Sequence, residues 1–167
     1  MRNAHKKGAT LSLSRLEQLS KLEKDLGVIF FNKSLLNQVF LHPSFTGENG
    51  LPHHDSNQRL EFLGDSVIYV ITASLLYNDY PYESEGKLTE KRIKLIREET
   101  LAKAASFYHL DKYLMLSHGG SLTKINTLPS TLSDTFEALL GAMFLDKGVE
   151  ETTKFVISTL RSINVEF

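Results

Sequence analysis

Leu16, Leu19, Leu22 and Leu26 recur at the spacing of one helical face, after the candidate cap Ser14 and before Gly27, which suits a left-handed helix exit. Residues 33–40 carry Leu35, Leu36, Val39 and Phe40 in a second helical pattern that His42-Pro43 ends, and residues 46–56 read as a polar loop. The pattern then changes. Over residues 60–77 Leu60, Leu63, Val67 and Ile71 form one stripe, while Phe62, Tyr69, Val70 and Ala73 cover most of the remaining surface. A helix apolar all round is normally buried. Residues 88–107 read as one long charged helix with Ile93, Ile96, Leu101 and Ala105 as its stripe, followed by a loop holding Gly119, Gly120 and Pro129. Ser133 or Asp134 is expected to open a helix that runs through Leu145 and closes at Gly148, and residues 149–163 form the last one. No stretch alternates strictly for long enough to make a strand, so the expected fold class is all-α, in one domain and without internal repeats.

Composition narrows the picture in two respects. With 167 residues, 41% of them apolar, the chain can bury one substantial core, and its longest apolar run falls short of the ~20 residues that span a bilayer. The absence of cysteine excludes disulfides and thiolate metal sites and fits a reducing compartment; a soluble cytoplasmic protein with no membrane contact is expected. Residues 1–13 read as a flexible arm preceding a domain over 14–167. The formal charge of -1 neither suggests nor excludes a polyanionic partner, because steering depends on where the charges lie.

The chemistry is concentrated in Asn57-Gln58-Arg59-Leu60-Glu61-Phe62-Leu63-Gly64-Asp65-Ser66. Here two carboxylates, Glu61 and Asp65, stand one turn apart in an apolar helix, where an unpaired ionised carboxylate costs several kcal/mol. Asp134 and Glu137 form a similar pair farther along the chain, and positions i, i+3 and i+4 share a helix face. Gly64 and Gly141 lie close to the acids in both segments. An interior glycine costs a helix about 1 kcal/mol relative to alanine, which suggests that two backbones approach closely there. Four converging carboxylates would need a hard cation such as Mg²⁺ or Mn²⁺, and ions held that way grip phosphates and activate water.

Plainer readings exist for the same residues. Asp134-Thr135-Phe136-Glu137 also fits a capping box, and Glu61 and Asp65 fit surface acids paired with Arg59 or with a lysine of the next helix. Lys87, Lys91 and Lys94 share a helix face and are candidate phosphate contacts, although Glu90, Glu98 and Glu99 among them suit an ordinary solvated face. His53-His54-Asp55, with His42 upstream, lacks a rigid ligand frame and reads as incidental loop histidines.

The 57–66 segment closely resembles the signature of ribonuclease III, and Ser133-Asp134-Thr135-Phe136-Glu137-Ala138-Leu139-Leu140-Gly141-Ala142 resembles that family's second acidic motif. Leu41-His42-Pro43-Ser44, Glu85-Gly86-Lys87-Leu88-Thr89 and Glu99-Thr100-Leu101-Ala102 extend the likeness from about Leu16 to Ile163. The resemblance implies an all-helical endonuclease domain in a two-fold homodimer. It also implies Mg²⁺-dependent hydrolysis of double-stranded RNA, leaving 5′-phosphate and 3′-hydroxyl ends with short 3′ overhangs, in RNA processing such as that of ribosomal RNA, with no organic cofactor. By position, Glu61, Asp65, Asp134 and Glu137 would be the metal-binding acids, Asp65 and Glu137 the catalytically critical pair, and Phe62 an aromatic knob at the dimer interface. Gln58 stands where the family usually has a further acid, which makes it a candidate RNA contact and is expected to weaken activity. The 119–125 loop also departs from the family's usual order. Bacterial members usually continue past the position of Phe167 into a double-stranded RNA-binding domain, so RNA affinity is expected to be weak and salt-sensitive. The alternative implied by some relatives is a catalytically silent structural or RNA-binding subunit.

Overall fold

A computed structural model describes residues 11–165, and within them the chain is helical, with a lone bridge between Leu41 and Met115. α1 spans Leu13–Leu26, α2 Lys33–Gln38, α3 Pro43–Glu48, α4 Gln58–Asp79, α5 Glu85–Ile96, α6 Glu98–Phe107, α7 His118–Leu122 and α8 Pro129–Ser162. The expected all-α class holds. The arm expected over residues 1–13 lies mostly outside the described residues. α1 begins two residues earlier than the Ser14 cap implies, because the Ser12 side chain accepts from the Arg15 N–H; Gly27 closes the helix in the left-handed conformation at φ 69°.

Several expected boundaries shift for identifiable reasons. Pro43 starts α3 instead of stopping the chain, since proline at the first helical position sacrifices no helical hydrogen bond, and His42 caps that helix by accepting from the Ser44 N–H. The loop expected over 46–56 is therefore partly helix. The single helix expected over 88–107 is two helices: Arg97 is extended at φ -65°, ψ 154°, and the Lys94 carbonyl accepts from the Thr100 hydroxyl at 2.7 Å, where a continuous helix would offer the Glu98 N–H. α8 opens at Pro129, so Asp134 lies inside the helix and the capping-box alternative does not hold. Gly148 interrupts α8 as expected, with φ 82° and ψ 179°.

The core forms around α4 and α8, which share the most extensive helix contact. Leu60, Val67, Ile68, Ile71 and Leu76 of α4 join Leu132, Phe136, Leu139, Leu140 and Met143 of α8 in one buried cluster. Gly64 and Gly141 mark the crossing: a Cβ on Gly64 would collide with the Glu137 carbonyl, and one on Gly141 with the Leu60 carbonyl. Only one face of α4 is buried within the chain: Phe62 is 78% exposed, Val70 65% and Tyr77 73%, on the face that the resemblance assigns to a partner subunit. Nor does the helix fall short of bilayer length. Its 22 residues include an 18-residue window of mean hydropathy 1.4, yet its Leu60, Val67 and Ile71 side chains are packed into the protein core and its first turns carry Glu61 and Asp65.

Candidate active site: an acidic centre at a glycine crossing

The α4–α8 crossing brings the two acidic segments together. Glu61 lies one turn before Gly64 on α4, and Glu137 one turn before Gly141 on α8, so the close backbone approach also draws their side chains together. Carboxylate oxygens of Glu61, Asp134 and Glu137 lie within 4.8 Å of one another, and all three side chains are half-buried. Asp65 is exposed and stands outside this group of three. It is still near enough for its charge to raise the proton affinity of both Glu61 and Glu137. The structure thus brings three of the four expected acids into one cluster, with the fourth at its edge.

The acids are not neutralised by the protein. Among the described residues no ion pair includes Glu61, Asp65, Asp134 or Glu137, so the pairing with Arg59 or a nearby lysine does not occur. Burial, followed by the charges of Asp65, Asp134 and Glu61, pushes the Glu137 carboxyl up to about 8. Burial and the charges of Asp134 and Asp65 raise Glu61, while burial and the charge of Glu98 raise Asp134. Burial is the main cause of each shift, and neighbouring negative charge adds to it. Three hard oxygen donors within reach of one point, half-buried and without protein cations, fit a small divalent ion.

A pocket of about 110 Å³ opens on the cluster, lined by His42, Pro43, Asn57, Gln58, Glu61, Thr131 and Asp134. Gln58 is therefore beside the acids, as its place in the signature segment implies. Contrary to the expectation for an incidental loop histidine, His42 shares this pocket, whereas His54 pairs only with Asp55 at 3.6 Å on an exposed turn. Sequence reasoning overlooked Glu98 in the same way, since its effect on Asp134 depends on the break at Arg97.

The lysines lie elsewhere. Lys87 pairs with Glu83 at 3.2 Å, Lys91 sits 3.8 Å from the centre of the Tyr80 ring, and Lys94 lines a separate pocket of about 440 Å³ with Arg97 and Lys103. That pocket is larger, but it holds none of the four acids.

A family model described as Ribonuclease-III-like matches residues 32–163, a span that includes the crossing and every acid of the site. The chain belongs to the ribonuclease-III-like family. It is 44% identical over 146 residues to Ribonuclease 3 of Dehalococcoides mccartyi, covering 86% of this chain and 61% of that protein. It is 41% identical over 140 residues to Ribonuclease 3 of Streptococcus agalactiae, covering 84% and 61% respectively. The chain thus spans about three-fifths of the length of these relatives. The crystal structure of the nuclease domain of ribonuclease III from Campylobacter jejuni superposes with a TM-score of 0.82 at 29% identity, over 90% of this chain and 99% of that one. Another structure of the Campylobacter domain, with a TM-score of 0.81, is described as flexible in a region involved in dimer formation. Dicer from Pichia stipitis aligns over 80% of this ribonuclease-III-like chain and 56% of its own, with a TM-score of 0.59.

Proposed function

We propose that this chain is an endoribonuclease that hydrolyses phosphodiester bonds of double-stranded RNA with Mg²⁺, for which Mn²⁺ can substitute. One observation carries the reading: the carboxylates of Glu61, Asp134 and Glu137 converge within 4.8 Å from two helices of a ribonuclease-III-like fold, without a protein cation among them. When bound, a divalent ion supplies positive charge for the scissile phosphate and makes water a better nucleophile.

The rest falls to the chain. Glu61, Asp134 and Glu137 would hold the ion, and Glu137, its carboxyl pushed up to about 8, would release its proton on binding. Asp65, at the exposed edge, adds a further negative charge and carboxylate oxygens beside them. An ion-free centre repels the RNA backbone, so ion and duplex binding support each other. Duplex recognition rests on A-form shape, phosphates and 2′-hydroxyls, with Gln58 beside the pocket and Lys87, Lys91 and Lys94 as peripheral contacts. A cysteine-free composition is consistent with cytoplasmic RNA processing.

The test is cleavage of a long RNA duplex with and without Mg²⁺, beside an Asp65→Asn variant. The wild-type chain should cut only with the ion, and the variant should fold but lose cutting by about a thousandfold, the several kcal/mol that ion-based charge stabilisation contributes. Equal rates for the two proteins would remove Asp65 from the reading, and wild-type protein inert with every divalent ion would leave a silent subunit.

The active form proposed is a two-fold homodimer, which sets one acidic centre against each strand. Phe62, Val70 and Tyr77 on the outer face of α4 supply apolar surface that a second copy would bury. Phe62→Ala should weaken self-association roughly tenfold or more, as loss of an aromatic anchor does, measured by sedimentation across concentrations. An equally tight dimer in the variant would take Phe62 out of the interface.

A further inference from the structure

Besides its acids, the acid pocket is lined by neutral groups. His42, Asn57 and Gln58 line it together with Glu61 and Asp134, and no lysine or arginine does. A cation there would collapse onto the carboxylates and compete with the ion they suit, whereas a neutral donor can hold a phosphate oxygen without disturbing them.

The tautomer of His42 is fixed by its surroundings. Its Nδ1 accepts from the Ser44 N–H at 3.1 Å, and a backbone N–H can only donate, so Nδ1 carries the lone pair and the ring proton sits on Nε2. Ser44 Oγ, 2.8 Å from the same Nδ1, accepts from the Ser117 N–H at 3.1 Å and has its own proton available to share the Nδ1 lone pair. The imidazole is thereby held from two sides, by α3 and by the segment before α7. Nε2 has no hydrogen-bond partner among the described residues. Beside it, Asn57 is 3% exposed, yet its side chain makes no capping bond, although the residue precedes α4. The Asn57 amide therefore lines the pocket without a capping bond and is free to meet a ligand there.

We infer that the Nε2–H of His42 is the donor that positions a non-bridging phosphate oxygen of the RNA strand over the acidic centre, with the Asn57 amide beside it. The inference rests on the nuclease reading and adds to it a substrate-positioning residue outside the acids. A neutral donor makes a distinct prediction: it contributes affinity without releasing a counterion.

Two substitutions separate the donor from the cap. His42→Asn places an amide oxygen near the Nδ1 position, keeping the acceptor for the Ser44 N–H while withdrawing the donor from the pocket. His42→Gln does the reverse, reaching the Nε2 position with an amide N–H and losing the cap. Duplex RNA binding is measured for both in the Asp65→Asn background with Mg²⁺, across salt concentrations, together with the melting temperature of each variant and kcat/KM in the wild-type background. His42→Asn should lose roughly tenfold to hundredfold in affinity and in kcat/KM, the worth of one hydrogen bond to a charged group, with the salt slope and melting temperature unchanged. His42→Gln should recover most of the affinity despite a lower melting temperature. The opposite ranking, or wild-type binding by His42→Asn, overturns the inference and leaves His42 as a helix cap. A change in salt slope overturns it as well, because a charged contact would then be involved. Parent protein that neither binds nor cuts duplex RNA overturns the nuclease reading and this one together, whereas a parent that binds and cuts while His42→Asn matches it overturns this one alone.

Discussion

The α4–α8 crossing and the α5–α6 pair carry their charge in opposite ways. At the crossing, acids are half-buried, unpaired and fixed by backbone contact, with Gly64 against the Glu137 carbonyl and Gly141 against that of Leu60. Along α5 and α6, basic side chains stand on long stems over partners of their own, Lys87 on Glu83 and Lys91 on the Tyr80 ring. The difference follows the precision each task requires. A hard ion needs its ligands within a few tenths of an ångström of their place, whereas a phosphate backbone is followed by flexible cations that adapt to it.

The contrast is broken most severely at the crossing itself. Gly64→Ala puts a methyl group into the Glu137 main chain, so the helices must separate, at a cost of about 1–3 kcal/mol for overpacking. The expected outcome is a lower melting temperature together with loss of Mg²⁺ affinity by calorimetry; unchanged ion affinity would mean that the acids do not depend on the helix spacing.

A pH series on ion-free protein sharpens the same side. Glu137, Glu61 and Asp134 all bind protons more tightly in the folded chain than in the unfolded one, so their contribution to stability is full below the ordinary carboxylate range. It declines as pH rises through the folded value, about 8 for Glu137. The melting temperature of ion-free protein should therefore fall between about pH 5 and pH 8.5, and saturating Mg²⁺ should flatten that fall. A curve that rises with pH, or one indifferent to Mg²⁺, would contradict the electrostatics of the centre. The smallest effect is expected on the α5 side: Lys91→Ala or Lys94→Ala should weaken duplex binding a few-fold, reduce the salt slope by about one each and leave Mg²⁺ affinity intact.

The crossing was legible in the sequence because its signals conflict with local propensity. Helix-interior glycines and carboxylates in an apolar helix each carry a cost that only close packing and a cation would offset, so Glu61, Gly64, Glu137 and Gly141 stood out. The acid cluster itself differs in one member, since Asp65 lies at the rim and three acids form the tight group. What the sequence hid depends on contacts distant in the chain. The break at Arg97 has no glycine or proline to announce it and is held by the Thr100 hydroxyl on the Lys94 carbonyl. Pro43 and Pro129 served as helix starts where a pattern reading takes a proline as a stop or part of a loop. His42 looked incidental because its surroundings come from α3, hidden in an apparent loop, and from Ser117, 75 positions away by the numbering. The apolar outer face of α4 was visible as composition, but hydrophobicity alone does not say whether a surface is covered by its own chain or left open.

Because each glycine at the crossing abuts a carbonyl and not a rotatable side chain, the distance between the two acid-bearing backbones has almost no slack in which to drift. Metal preference in such a scaffold cannot be retuned by gradual widening or tightening of the cage. It can change only in discrete steps, by exchanging one donor group for another.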